Sequence, residues 1–403
     1  MQQYPNLRHI RIFHASVMLK SLSKAAEVVH LSQPAASQAV AKLERQFGGP
    51  LLERHGAGVM VTPRGTILAR RCQRVLDLLR AAGTSLARQS RIGKRLALNV
   101  LETQATIAHL RALSLFAETG SFTAAARAVG QTEPSVQRAA REIERIGGVP
   151  LFDGAYRALQ FTPTGQMLAT HASLILKELE SALEDVREYE GRYDGRIGVG
   201  ALPLAHTQII PSAVTEVARS RPQASIEIVD SDYDSLVAAL MIGKIDFLIG
   251  ALRTGPLSQG LTQEPLFNDG LSVIGRAGHP LAGRASVTYA DLAEYPWVVS
   301  RHGTPTRAIF SQLAQHFPPA WHERGVVITG SMVAARGILM QSDRLTILSR
   351  RQVNYDEQSG LLAVIPFDLG NTDRPIGLTT RVDWQPTALQ SEFLAALRRA
   401  VAE

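Results

Sequence analysis

The stretch from Ile10 to Gly65 returns at Leu110 to Gly165, displaced by 100 positions with no insertion or deletion between the copies. Ser21, Ala25, Ala26, Val29, Pro34, Ala39, Glu44, Arg45, Gly48, Pro50, Leu51, Thr62, Pro63 and Gly65 all meet the same residue type 100 positions later. Two copies of one small helical module therefore precede everything else, and the repeat sets the domain plan before any single element is considered.

A chain of 403 residues, 45% apolar and 20% charged, has room for about two to four buried cores. No apolar run reaches the roughly 18 residues of a membrane span. The opening Met1-Gln2-Gln3-Tyr4 lacks a basic region followed by an apolar signal core, so a cytoplasmic location is expected. The single cysteine, Cys72, excludes an internal disulfide framework and a cysteine-cluster metal site. No cofactor is expected. Charge is informative by its placement: residues 1–100 carry 16 Lys+Arg against 4 Asp+Glu, whereas residues 101–200 carry 10 against 13 and the remainder 17 against 19. A basic excess confined to one quarter of the chain is the electrostatic footprint of a nucleic-acid-binding segment; the bland alternative is a solvated basic surface.

Within each copy, Ile10, Phe13 and Val17, like Leu110, Leu113 and Ala117, fall on one helical face. A short second helix is expected over 23–29 and 123–129, opening on Ser23 or Thr123, with the small pairs Ala25-Ala26 and Ala125-Ala126 allowing close helix crossing. After a brief turn, Ser32 or Thr132 caps a third helix with Pro34 or Pro134 in its first turn. Its buried stripe is Ala36, Val40, Leu43 and Phe47, against Val136, Ala140, Ile143 and Gly147. This is a helix-turn-helix, whose third helix offers its outward face to a DNA major groove. In the first copy that face carries Ser32, Gln33, Pro34, Ala35, Ser37 and Gln38. Amides pair with adenine edges, hydroxyls reach bases or phosphate, and alanine admits a thymine methyl. Lys42 and Arg45 lie further along, where phosphate contact is expected, and residues 50–61 form a two-stranded wing with Arg54 near the backbone. A helical hairpin without a DNA role is the alternative.

With these residues in place the chain resembles the LysR-type transcriptional regulators. Ser21 to Ala26, Leu31 to Ser37, Leu43-Glu44, Leu51 to Arg54 and Thr62 to Gly65 look like that family's winged head nearly position for position; Gly120 to Ala126 and Thr162 to Gly165 are equally family-like. The duplication is the departure from the family pattern. The resemblance implies an α+β and α/β multidomain chain. Its parts are a winged helix-turn-helix at 5–65, a linker helix and connector at 66–104, a second head, intact or degenerate, at 105–165, a linker helix at 166–192, and a two-lobed periplasmic-binding-protein-like effector domain at 193–403.

The second head is nearly neutral and places Glu133 at the Gln33 position, where a carboxylate suits the helix dipole and repels phosphate. Either it reads another sequence with Ser135, Gln137, Arg138 and Arg141, or it is a packing partner; the second reading is preferred. Leu68, Cys72, Val75 and Leu79, and Leu168, Ala172, Ile175 and Leu179 continuing to Ala182 and Val186, form stripes that each want a partner helix. In the resembling family the linker helix pairs with that of a second subunit. The stripes could instead pair within one chain, but dimerisation is the favoured expectation, giving a homodimer or homotetramer. Cys72 reads as a core residue rather than a redox switch. The connector, with Arg88, Arg91, Lys94 and Arg95, runs along phosphates or is solvated.

From Gly195 short strands and helices alternate in βαβ order, first over 196–249 and again over 271–348, which describes two α/β lobes with a crevice for a small ligand. Gly195 to Gly200, Gly243 to Ile249 and Gly278 to Leu281 look like the family's effector-binding domain. A dinucleotide reading of Gly198-x-Gly200 fails because Pro203 stands at the third glycine. By resemblance the ligand meets Leu202, Pro203, His206, Thr207, Ser231, Asp232, Ser300, Arg301, His302, Thr304, Gly330 and Ser331. Each of these alone also reads as a helix cap or loop residue. Thr207, Thr304 and Ser331 near helix starts, with Arg301, favour a carboxylate, so the effector is expected to be a small organic or aromatic acid.

The reading is a sequence-specific transcriptional regulator with double-stranded promoter or operator DNA, an effector and RNA polymerase among its implied partners. The rivals are an α/β enzyme, for which no nucleophile elbow, His-Glu-x-x-His helix or P-loop speaks, and a ligand-independent DNA-binding scaffold.

Overall fold

The computed structural model describes residues 4–55, 58–88, 101–154, 159–255, 260–318, 321 and 325–402, with the side chains of 54 and 55 also left outside. Two compact units emerge: Met1–Gly195 with Met241–Lys244, and Arg196–Leu240 with Ile245–Glu403.

The first unit begins with α1 (Leu7–Leu19), α2 (Leu22–Val28) and α3 (Gln33–Gln46). Strands β1 (Leu52–His55) and β2 (Gly58–Val61) pair as an antiparallel wing, and α4 (Pro63–Ala87) leads away. The order then repeats: α5 (Ile107–Thr119), α6 (Phe122–Val129), α7 (Glu133–Gly147), β3 (Phe152–Asp153) with β4 (Gln160–Phe161), and α8 (Pro163–Tyr189).

Several of the repeated residues hold this architecture. Thr62 accepts the N–H of Gly65 at 2.9 Å and donates to the Pro50 carbonyl at 2.9 Å, so one hydroxyl caps α4 and ties it to the wing. A Cβ on Gly65 would stand 2.1 Å from the Leu51 carbonyl oxygen, which only glycine avoids. Thr162 and Gly165 repeat the arrangement, with the Leu151 carbonyl 2.0 Å from the notional Cβ. Glu44 and Glu144 accept the N–H groups of Leu51 (3.0 Å) and Leu151 (2.7 Å), securing the first wing strand.

Two expected caps are corrected. The second helices open on Ser21 and Ser121, whose hydroxyls accept from Lys24 and Ala124 N–H, and not on Ser23 or Thr123. Ser21 and Ser121 have the extended backbone of an N-cap, whereas Ser23 and Thr123 already lie inside the helix. Thr132 occupies the cap position of α7 but its side chain makes no capping hydrogen bond.

Helices α4 and α8 pack on each other inside one chain. Leu68, Cys72, Val75, Leu79 and Leu86 share a single buried cluster with Leu168, Ala172, Ile175, Leu179, Ala182 and Val186, and the same cluster takes in residues of both heads. Of the two pairings the stripes allow, the structure has the one within a chain: each finds its partner about 100 positions away. Cys72 is wholly buried there, and loss of water pushes its thiol pKa up.

The second unit is built of β5 (Arg196–Ala201), α9 (Ile209–Ser220), β6 (Ser225–Asp230), α10 (Tyr233–Met241), β7 (Phe247–Ala251), β8 (Leu261–Asp269) and β9 (Leu271–Arg276). It continues with α11 (Tyr289–Ala293), β10 (Val298–Val299), α12 (Pro305–Ala314), β11 (Val327–Ile328), α13 (Met332–Met340), β12 (Thr346–Ser349), α14 (Asn354–Gln358), β13 (Leu362–Val364), β14 (Arg374–Arg381) and α15 (Ala388–Ala402). One lobe carries the sheet β6-β5-β7-β14-β8; the other carries β12-β9-β13 and the pair β10-β11. The βαβ order expected over 196–249 is present, with β5 parallel to β6 and β7. The chain then returns to the first lobe at its end: β14 lies antiparallel between β7 and β8, and α15 packs beside α9.

Candidate nucleic-acid interface and effector site

The outward face of α3 is polar and uncommitted. Ser32 caps the helix by accepting the Ala35 N–H at 3.4 Å. Gln33, Pro34, Gln38, Lys42 and Arg45 are exposed, and Ala35 and Ser37 are half-buried. Among the described residues none of Gln33, Gln38, Lys42 and Arg45 is hydrogen bonded or ion paired through its side chain. His9 lies close enough to Lys42 that burial first, and that ammonium second, hold its pKa below the usual histidine value. Arg54 belongs to β1, and its side chain is outside the described residues, as are Arg91, Lys94 and Arg95 of the connector.

The equivalent face of α7 spends its polar groups internally. Glu133 accepts the Thr123 hydroxyl at 2.8 Å. Arg141 donates to Glu144 at 2.7 Å and lies 4.9 Å over the Phe152 ring. Glu142, standing where the first head has Lys42, is paired with Arg145 at 2.5 Å. Ser135 and Arg138 remain exposed and Gln137 is half-buried.

In the second unit a cleft of about 420 Å³ is lined by Arg253, Gly303, Thr304, Pro305, Arg307, Ala308 and Ser311. Arg253 follows β7 of one lobe, its guanidinium 4.1 Å over the Tyr233 ring. Arg307, on α12 of the other lobe, is buried, 5.3 Å from the centre of Phe310. Thr304 caps α12 by accepting the Arg307 N–H at 3.2 Å. Two guanidinium groups beside a capped helix start make a site for an anion.

Of the expected effector residues, Thr304 alone lines this cleft. Arg301 leans over Gly330, its Nε 3.3 Å from where a Cβ would stand, while His302 is exposed and Ser300 half-buried nearby in sequence. Ser331 caps α13, and Asp232 accepts the Ser235 N–H at 2.9 Å, which lowers its pKa. Ser231 is half-buried and Pro203 exposed. Leu202 packs under Gly250, His206 meets the Ala201 carbonyl and Thr207 the Arg351 carbonyl. Sequence reading missed Arg253, Arg307 and Ser311. Arg307 was findable as the residue three after the capping Thr304. Arg253 carries no local signal, since only the sheet brings it across from α12.

The profile of the bacterial regulatory helix-turn-helix protein, lysR family, matches residues 7–66 and again 107–166, and that of the LysR substrate binding domain matches 190–402. The chain belongs to the LysR family. It is a DNA-binding transcriptional regulator controlled by a small-molecule effector. The HTH-type transcriptional regulator GalR of Pseudomonas putida is 32% identical over 403 residues, all of this chain and 98% of the relative. PcaQ of Agrobacterium fabrum is 29% identical over 73% of this LysR-family chain and 94% of its own. A full-length OxyR point variant from Pseudomonas aeruginosa shares the fold, with a TM-score of 0.55 at 20% identity, covering 74% of this chain and 95% of that one. Regulators of the LysR family bind DNA, respond to small effectors and act as oligomers. Among the described residues no helix is long and apolar enough to cross a membrane.

Proposed function

We propose that this regulator carries a duplicated winged head, works in the cytoplasm without a catalytic role, and reads its operator chiefly through the first head. The observation that carries this is the contrast between α3, whose Gln33, Gln38, Lys42 and Arg45 face outward unpaired among the described residues, and α7, whose Glu133, Arg141 and Arg145 are engaged within the head. The second head serves first as a packing partner, and its contact with DNA is the weaker one. The effector is a small organic or aromatic acid held between Arg253 and Arg307, at the start of α12.

The test is binding of the full-length protein to a labelled duplex from upstream of its own gene, across a salt series. Affinity falls steeply with salt, and Lys42→Ala reduces that slope by about one counterion. Salt-independent binding overturns the reading. For the cleft, benzoate and benzamide are compared by thermal shift: the acid stabilises the protein and the amide does not. Equal shifts overturn the acid assignment.

A further inference from the structure

In the 100-residue register the ion pairs joining α4 to α8 have no mirror images. Arg71 corresponds to His171, Arg74 to Leu174, Glu178 to Leu78 and Asp185 to Ser85. The Arg71 side chain is 3% exposed and is held by Asp185 at 2.7 Å and Glu178 at 3.0 Å, while Arg74 meets Glu178 at 2.9 Å. If α4 met the α4 of a second copy, these arginines would face Leu78 and Ser85, and a buried guanidinium would lack its carboxylates. If α8 met another α8, Glu178 and Asp185 would face an imidazole and an alkyl chain. Shape follows the same rule. Phe47 of the first head becomes Gly147 in the second, and Leu86 from α4 fills the space, 2.9 Å from where a Cβ would stand. At the seam's edges Tyr4 donates to Glu180 and Arg64 pairs with Glu190 at 2.8 Å, contacts that the register turns into Gln104 with Arg80 and Thr164 with Ser90.

We propose that α4 and α8 are complementary to each other and not to themselves, so that one polypeptide is a complete two-headed DNA-binding unit of fixed polarity, matched to a site with two unlike halves. The DNA part rests on the reading of the first head proposed above. Buried polar groups that fix the choice of partner are the best attested use of such pairs. The half under α3 meets amides and a hydroxyl suited to adenine edges. The other half meets Ser135, Gln137 and Arg138, an arginine where the first head has Gln38. The two halves are therefore read with different base preferences, adenine edges under the first head and a guanine edge under Arg138.

The helix pairing is tested without DNA, on full-length protein carrying Cys72→Ser. With Arg74→Cys and Glu178→Cys, or with Arg64→Cys and Glu190→Cys should the first pair fold poorly, a bismaleimide gives a product of single-chain mass on a denaturing gel. Arg74→Cys alone gives no covalent dimer. Covalent dimers as the main product of either double variant, or any from the single one, overturn the proposal. The site is then tested by selecting duplexes of about 30 base pairs, enough for two half-sites two turns apart, from a random pool. Unlike halves are expected, and an inverted repeat within that window overturns the asymmetry. Failure to select any sequence overturns the reading of the first head, while the crosslinks still decide the pairing.

Discussion

Asp185 on α8 holds Arg71 on α4 with an Nε–carboxylate distance of 2.7 Å, across the seam that unites the two heads. A second carboxylate, Glu178, completes the grip at 3.0 Å. Removing the guanidinium alone leaves charge stranded in a largely dry seam. Arg71→Met is therefore expected to cost about 3–5 kcal/mol, because an uncompensated buried charge outweighs the methionine's packing. The urea transition of the full-length protein measures this, and a loss under about 1 kcal/mol would show the seam tolerates the vacancy.

Acid acts on the same seam in a definite direction. Burial raises the Asp185 pKa more than Arg71 and its hydrogen bond lower it. The folded state thus binds that proton more readily than the unfolded chain does. Its contribution to stability is fully present below the ordinary aspartate pKa, about 3.9, and is lost as pH rises through the raised folded value. As pH falls toward the ordinary aspartate value, the wild type should lose stability less steeply than Asp185→Asn. A steeper loss in the wild type contradicts the assignment.

The two recognition helices answer differently to substitution. Gln33→Ala with Ser37→Ala removes the groups proposed to read bases, each good pair being worth about 1–3 kcal/mol, so specific affinity is expected to drop roughly tenfold or more. Glu133→Ala breaks the contact with Thr123, removes a negative charge from the start of α7 and is expected to leave affinity unchanged or slightly raised. Fluorescence anisotropy on a selected duplex checks both, and the reverse pattern would make the second head the principal reader.

In the cleft proposed for the effector, Arg307→Met and Arg253→Met would each remove one charged partner for a carboxylate while keeping much of the side chain's bulk. A charge-assisted contact is worth about 1.5–3 kcal/mol, so an acid that binds the wild type should lose roughly ten- to hundredfold in affinity. Calorimetric titration reads the change, and unaltered binding by both variants places the ligand elsewhere.

Much of the first unit was legible because its signals are local. Thr62, Pro63 and Gly65 stand out in the sequence by recurring 100 positions on, although their work as a cap, a first-turn proline and a close backbone approach shows only in the structure, and the buried stripes of α3 and α7 follow from helical spacing. The shift from Ser23 to Ser21 shows the limit: two hydroxyls two positions apart both suit a cap, and the extended backbone at Ser21 decides. The partner of each linker stripe was not legible from apolar periodicity, which is alike in both helices; it is decided by Arg71, Glu178 and Asp185, whose meaning appears only when the stripes are brought together. The same holds for Arg253 and Arg307, 54 positions apart and joined by the cleft alone.

The place of β14 between β7 and β8 also orders events during synthesis. Both heads and both linkers lie ahead of Gly195 and have left the ribosome while the first lobe still holds an open slot. A message cut short before Arg374 thus leaves that slot unfilled after both heads have already been made.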